Sequence, residues 1–259
     1  MPDPDSAVPK LRCPIVLVHG LCGYDRVTAL GRPLKDYFPG IRERLEAAGN
    51  RVLVPRLSCT QGVADRAAEL GRYIDRHVPA GPVHLIGHSM GGLDARYLVG
   101  NLGMAPRVRS VTTVGTPHRG SPIADWGVRR FGALVAPLFQ LLGLSTRAFL
   151  DLTSAACARF NLVVRDAPGV QYFAVAGRCD DSLLGGGWQL THGLVSRAEG
   201  ANDGVVSVAS AEWGEHTDVW PGDHLNLVNW PNRLARRQGV WEAVAPDYGR
   251  ILRRVAAAE

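Results

Sequence analysis

The stretch from Val83 to Tyr97, VHLIGHSMGGLDARY, decides the fold. Its first part, VHLI, is mostly apolar and predicts a buried strand, and residues 93–99 continue with the spacing of a helix. Between them Gly87 to Gly91 spell G-x-S-x-G. We interpret the stretch as a strand, a sharp turn and a helix. Ser89 is then at the tip of the turn, and the glycines stand where backbone segments approach closely.

Strand and helix patterns alternate on both sides of this stretch. The other predicted elements are a strand at 14–18, a helix at 40–50, a strand at 51–57, a helix at 62–78, strands at 107–115 and 170–177, and a helix at 245–257. This alternation predicts an α/β fold with a mainly parallel sheet and helices on both faces. Because only 13 residues precede the first strand, we expect no extra N-terminal strands.

Two segments depart from the alternation. Residues 120–166 carry apolar helical patterns directly after a predicted strand, which predicts a helical cap or lid over the site; an ordinary packed insertion is the alternative. Residues 178–202 are rich in glycine and acidic residues and predict a long loop. The valines at 205, 206 and 208 indicate a short return to the core. We expect residues 1–259 to form one domain.

Composition excludes several classes of protein. The net charge of +5 comes from scattered arginines rather than a basic stripe with stacking aromatic residues, so we expect no nucleic-acid partner. No apolar run reaches the roughly 18 residues that span a bilayer. Residues 1–10 lack the apolar core of a signal peptide, so the chain as given is expected in the cytoplasm, or outside the cell if a leader was removed.

Ser89 needs a base and an acidic residue to become a nucleophile. In this kind of fold the chain order is serine, then aspartate or glutamate, then histidine. Asp203 in an Asn-Asp-Gly turn and His224 near the C-terminus have that order. The residues that remain as alternatives are Asp218 for the acid and His192 and His216 for the base.

Acyl transfer at a serine also needs two backbone N–H groups that bind the developing oxyanion. One is expected from Met90, the residue after Ser89, and the other from Leu21, in the loop after the first strand. Both residues could instead be simple packing residues.

Five motifs together carry a family resemblance. They are HGL at 19–21, GHSMGGL at 87–93, GTPHRGS at 115–121, NDGVVS at 202–207 and His224-Leu225. With these motifs the chain resembles the bacterial family I triacylglycerol lipases of the α/β-hydrolase superfamily, from residue 14 to about residue 230. The resemblance implies Ser89 as nucleophile, Asp203 as acid, His224 as base and a lid.

The chain also departs from that family. The family usually has a calcium-binding aspartate two residues after the catalytic histidine, and here that position is Asn226, a weaker ligand. Asp181 would be the other side-chain ligand, so the loss of one carboxylate argues against a structural calcium. We also expect the family's disulfide to be absent, since residues 205–211 contain no cysteine to pair with Cys179. We expect no cofactor in the chemistry.

These observations predict a serine carboxylic-ester hydrolase, a lipase or an esterase. Its substrate would be a small-molecule or lipid ester, and the apolar residues 133–144 suggest that the lid contacts a lipid interface. An acyltransferase with the same acyl-enzyme, and a non-catalytic scaffold that binds a hydrophobic ligand, are the alternatives. The sequence leaves the length of the acyl chain open.

Overall fold

A computed structural model describes residues 8–21, 26–29, 32–130, 145–179, 187–230, 237, 246–257 and 259. The strands are β1 (Ile15–Val18), β2 (Arg26–Ala29), β3 (Arg32–Asp36), β4 (Val52–Leu53), β5 (Val83–His88), β6 (Val108–Val114), β7 (Gln171–Arg178) and β8 (His216–Pro221). The helices are α1 (Ile41–Ala47), α2 (Val63–His77), α3 (Met90–Asn101), α4 (residues 122–130), α5 (Arg147–Asp151), α6 (Ser154–Val163), α7 (Gly187–Glu199), α8 (Val208–Ala211) and α9 (Tyr248–Ala256).

Six strands form one sheet in the order β4-β1-β5-β6-β7-β8, and every neighbouring pair is parallel. The strands β2 and β3 form a separate antiparallel pair. The predicted α/β fold is therefore confirmed. Because the strands are parallel, the loops that follow their carboxyl ends all lie at one edge of the sheet.

Both faces of the sheet are covered by helices, as predicted. Ile15 and Leu17 of β1 belong to a core cluster with residues of α1 and α9. Val16 and Val18 point the opposite way, into a cluster with residues of α2 and α3. Alternation along one strand thus supplies two cores, because successive side chains of a strand face opposite sides of the sheet.

The strand predicted at 51–57 is wrong beyond Leu53. Only Val52 and Leu53 form β4, and they pair with β1 at the edge of the sheet. Pro55 follows, and proline has no backbone N–H to donate to a neighbouring strand. The N–H of Leu57 instead donates to the Nε2 of His19 at 3.0 Å. This segment therefore supports the loop that follows β1 and does not extend the sheet.

The long loop predicted at 178–202 is also wrong, because it contains the helix α7. His192 and Val195 of this helix are buried, whereas Leu190 is 67% exposed. The glycines before the helix dominated the sequence pattern, and the apolar residues did not form a clear stripe. After α7, the side-chain amide of Asn202 donates to the carbonyl of Gly200 at 2.9 Å and so closes the end of the helix.

The strand β8 was not predicted. It is an edge strand in which only Asp218 and Trp220 are buried, and Val219 is 49% exposed. Edge strands need less apolar surface than central ones, which explains the weak signal. The return to the core inferred from valines 205, 206 and 208 is not a strand: α8 begins at Val208, and the Ser207 Oγ accepts the N–H of Ser210 at 3.0 Å.

Candidate active site

Ser89 lies between β5 and α3 with φ 54° and ψ −127°. A residue other than glycine rarely has positive φ, and such strain costs about 1–3 kcal/mol. The turn leaves no room for side chains at its glycines. A Cβ on Gly87 would lie 2.5 Å from the Gly91 carbonyl oxygen, and one on Gly91 would lie 2.5 Å from that of Val18. The predicted sharp turn is confirmed, and its glycines are sterically required.

The GTPHRGS segment ties this turn to the loop of Asp203. The Thr116 hydroxyl donates to the Ser89 carbonyl oxygen at 2.8 Å. Five residues later, the Ser121 hydroxyl donates to the carbonyl oxygen of Val205 at 2.7 Å. The motif therefore connects the turn at Ser89 to the loop of Asp203 by hydrogen bonds. This explains why it contains Thr116 and Ser121.

Asp203 and His224 form the central pair of the site. The Nδ1 of His224 lies 2.7 Å from the Oδ2 of Asp203, and the carboxylate is fully buried. Its other oxygen, Oδ1, accepts the N–H groups of Val205 and Val206 at 2.9 and 2.8 Å. An ionised carboxylate only accepts hydrogen bonds, so Nδ1 carries the proton, and the Nε2 of a neutral His224 ring is left as an acceptor.

The alternative residues lie elsewhere. The Asp218 carboxylate accepts from Arg254 at 3.2 Å and contacts the Nε2 of His216 at 3.0 Å, so it belongs to an ion cluster between β8 and α9. His192 lies on α7, where its Nδ1 is 3.5 Å from the Ser196 hydroxyl. The structure brings Asp203, rather than Asp218, to His224.

Ser89 and His224 open into the same pocket, a largely apolar cavity of about 330 Å³. Its lining residues are Leu21, Tyr37, His88, Ser89, Leu152, Val205, His224, Leu225, Val228 and Trp230. An apolar cavity with a few polar groups at one end suits a ligand that has a long apolar part and one polar reacting group.

The loop after β1 carries Leu21, one of the two residues predicted to supply an oxyanion-binding N–H group. The Nδ1–H of His19 donates to the Gly20 carbonyl oxygen at 2.9 Å. All described peptide bonds are trans, so the N–H of Leu21 points away from that carbonyl. Leu21 also lines the pocket of Ser89. On the other side Met90 is the first residue of α3, where the backbone N–H has no partner within the helix.

A buried ion pair beneath this loop was not identified from the sequence. Arg66 and Asp94 are fully buried and lie 2.7 Å apart. Arg66 also donates to the carbonyl oxygens of His19 and Ser58, each at 2.7 Å. Burial raises the pKa of Asp94 to about 7, and Arg66 opposes that rise. The sequence feature that could have revealed this ion pair is the position of Arg66, which lies on the apolar face of α2, three residues after the buried Val63.

The cap segment is only partly described, since residues 131–144 of the predicted lid lie outside the described residues. The described part is anchored to the body. The Asp151 carboxylate accepts the N–H of Val63 at 2.8 Å, and the Leu152 carbonyl oxygen accepts the N–H of Ser121 at 3.0 Å. Around α5 and α6, these bonds favour a packed cap over a freely moving lid.

Asn226, at the position where the resemblance implies a calcium ligand, is already hydrogen-bonded to other groups of the protein. The Asn226 Oδ1 accepts the N–H of Asp223 at 2.8 Å, while the Asp223 Oδ1 accepts the N–H of Asn226 at 2.8 Å. The Asn226 amide donates to the Trp230 carbonyl oxygen at 3.0 Å. This reciprocal pair resembles a capping box and uses both ends of the Asn226 side chain, which fits calcium ligation poorly. Asp181 lies outside the described residues.

A strained serine between a parallel strand and a helix, with an aspartate–histidine pair at the same sheet edge, defines the class of the protein: an α/β-hydrolase. Comparison with known proteins agrees. The chain belongs to the family of the PGAP1-like alpha/beta domain, whose model matches residues 69–228.

Similar proteins include a triacylglycerol lipase of Pseudomonas fragi, 31% identical over 88% of this chain and 91% of its own length. Triacylglycerol lipase 2 of Saccharomyces cerevisiae is 29% identical over 89% of this chain and 84% of its own. The crystal structure of the mature Bacillus licheniformis lipase BlEst2 is 26% identical, with a TM-score of 0.66 and 94% coverage of both chains. The chain is accordingly a lipase or esterase that hydrolyses carboxylic esters. None of the described helices is both long and apolar enough to cross a bilayer.

Proposed function

We propose that this chain hydrolyses hydrophobic esters through a covalent acyl-enzyme on Ser89. The observation that carries the proposal is the 2.7 Å bond between His224 and Asp203 at a pocket that also contains the strained Ser89. With Nδ1 bonded to Asp203, the Nε2 of the His224 ring is the atom that accepts the proton of the Ser89 hydroxyl. The buried Asp203 orients this ring and stabilises the imidazolium that forms.

The reaction proceeds in two acyl transfers. In the first, Ser89 Oγ attacks the ester carbonyl carbon, its proton passes to His224, and the backbone N–H groups of Leu21 and Met90 bind the oxyanion. His224 then gives the proton to the departing alcohol. In the second, a water molecule gives a proton to His224 and attacks the acyl carbon. The bond between Ser89 Oγ and the acyl carbon then breaks, His224 returns the proton to Oγ, and the acid leaves.

The substrate is proposed to be a lipid ester, as the names of the relatives and the apolar pocket suggest. The cap supports this proposal, since it carries exposed apolar side chains that could contact a lipid interface. These residues are Trp126, Phe149, Leu150, Leu162 and Val163. We place the chain, within the lipases, in the bacterial family I branch on its GTPHRGS motif.

A series of p-nitrophenyl esters tests this function. At high enzyme concentration we expect a rapid burst of p-nitrophenol equal to the amount of enzyme, because the acyl-enzyme forms faster than water removes the acid. The steady-state rate should be highest for esters with more than four acyl carbons, and emulsified triglyceride should also be hydrolysed. A preference for two to four carbons with no activity on the emulsion would contradict the lipase substrate, leaving an esterase.

The structure also leads us to propose that calcium is dispensable here, since the loop after His224 is held by Asp223 and Asn226. Prolonged treatment with EDTA should leave both the melting temperature and the rate on p-nitrophenyl esters unchanged. Enzyme dialysed against buffer with added calcium is the control. A loss of activity that calcium restores would refute this proposal and point to ligands that we have not identified.

A further inference from the structure

A chain of three hydrogen bonds joins the loop of Leu21 to the backbone of His224. The Gly20 N–H donates to the Tyr37 hydroxyl oxygen at 3.0 Å. The same hydroxyl lies 2.8 Å from the Nδ1 of His88. On the other side of that ring, the Nε2 of His88 lies 3.0 Å from the His224 carbonyl oxygen.

The chemistry of the partners fixes the direction of every bond. A carbonyl oxygen can only accept, so the Nε2 of His88 carries a proton. Burial, followed by the nearby His224, lowers the pKa of His88 well below its usual value, so the ring is neutral and its Nδ1 accepts. The Tyr37 hydroxyl must therefore donate to His88 while it accepts from Gly20. Bonds aligned in one direction polarise and strengthen one another.

Each end of this chain adjoins a group that the reaction uses. Gly20 precedes Leu21, His88 precedes Ser89, and His224 is the proposed base. The space between them is tightly filled: a Cβ on Gly20 would lie 2.8 Å from that of Ser89 and 2.9 Å from the Tyr37 hydroxyl. The rings of His88 and His224 have centroids 4.6 Å apart.

We propose that Tyr37 and His88 are positioning residues. They hold the loop of Leu21 and the loop of His224 at a fixed separation around Ser89. The inference rests on the proposed function. A neutral His88 suits this place for a second reason. When His224 takes the proton of Ser89 it becomes a cation, and a second cation at this distance would oppose that step.

Four single variants test the inference. Tyr37→Phe removes the hydroxyl that links Gly20 to His88, and His88→Leu removes both ring bonds. Each should lower kcat about 10- to 100-fold, the effect expected when reacting groups shift by about 1 Å, with KM within about twofold. His88→Gln keeps one donor and one acceptor and should retain most of kcat. The matched control is Tyr248→Phe, which loses a buried hydroxyl bonded to the Leu227 carbonyl oxygen at 3.1 Å.

Tyr248→Phe should lower the melting temperature while kcat stays near that of the wild type, so loss of a buried hydroxyl alone cannot explain a fall in kcat. In the double variant of Tyr37→Phe and His88→Leu, the loss should be close to that of the larger single loss, because both changes break one chain.

Three results would overturn the inference: an unchanged kcat in Tyr37→Phe, a rise in KM without a fall in kcat, or losses that multiply in the double variant. Labelling of the wild type by a fluorophosphonate probe separates this outcome from failure of the proposed function. A wild type that is labelled, together with an unaffected Tyr37→Phe, refutes only the positioning role, whereas a wild type that hydrolyses esters without being labelled at Ser89 refutes the acyl-enzyme itself.

Discussion

Replacing Ser89 with alanine should lower kcat/KM for p-nitrophenyl esters by roughly 10⁵- to 10⁶-fold, the loss seen when a serine nucleophile is removed. The reason is that, among the described residues, Ser89 is the only serine or threonine that lines the pocket with His224. The other hydroxyl there, that of Tyr37, is bonded to Gly20 and His88. Residual catalysis would come from the oxyanion donors and from binding alone. A fluorophosphonate probe should label the wild type stoichiometrically and leave Ser89→Ala unlabelled.

The same variant should fold normally, which separates chemistry from stability. Alanine meets the same strain as serine at φ 54°, and the N–H bond from residue 89 to the Val114 carbonyl oxygen at 2.8 Å does not involve the side chain. Circular dichroism and the melting temperature check this. Ser110→Ala is the matched control, since Ser110 is buried and bonds to His84. Labelling that persists in Ser89→Ala, or is lost in Ser110→Ala, would contradict the assignment.

The turn at Ser89 could be predicted from sequence because its constraints are local. Gly87 and Gly91 are demanded by backbone atoms only a few residues away or on the adjacent strand, so the motif itself carries the geometry. The order of Asp203 and His224 was likewise readable, because in a parallel sheet successive strand ends reach the same edge. The structure then separated Asp203 from Asp218 by their partners, Arg254 in the case of Asp218.

The groups that support the site were not readable in the same way. Tyr37 follows β3 in sequence, yet its partners are Gly20 and His88, which lie 17 and 51 residues away. Arg66 reaches the carbonyl of His19 across 47 residues. Such contacts depend on how separate elements pack, and no periodic pattern in one segment encodes them. The helix α7 and the edge strand β8 were not predicted for a related reason: each buries only part of its surface, so its apolar pattern in the sequence is weak.

Replacing Asp203 with asparagine should lower kcat/KM about 10⁴-fold, by imposing the wrong tautomer on His224. The N–H groups of Val205 and Val206 both donate to the Oδ1 of Asp203, so an asparagine must place its carbonyl oxygen there. Its NH₂ group then occupies the position of Oδ2, 2.7 Å from the Nδ1 of His224. That group donates, so Nδ1 must accept, the ring proton moves to Nε2, and the ring can no longer take the proton of Ser89.

Asp218→Asn is the matched control, because it makes the same chemical change in a buried aspartate on β8, between Asp203 and His224 in the sequence. Its carboxylate pairs with Arg254 at 3.2 Å and with Arg250 at 3.3 Å, so the variant should lower the melting temperature while kcat/KM stays within about twofold. The Asp203→Asn protein should keep its fold, since the asparagine oxygen retains both backbone bonds. Equal losses of activity in the two variants, or a loss confined to Asp218→Asn, would exclude Asp203 as the residue that orients the base.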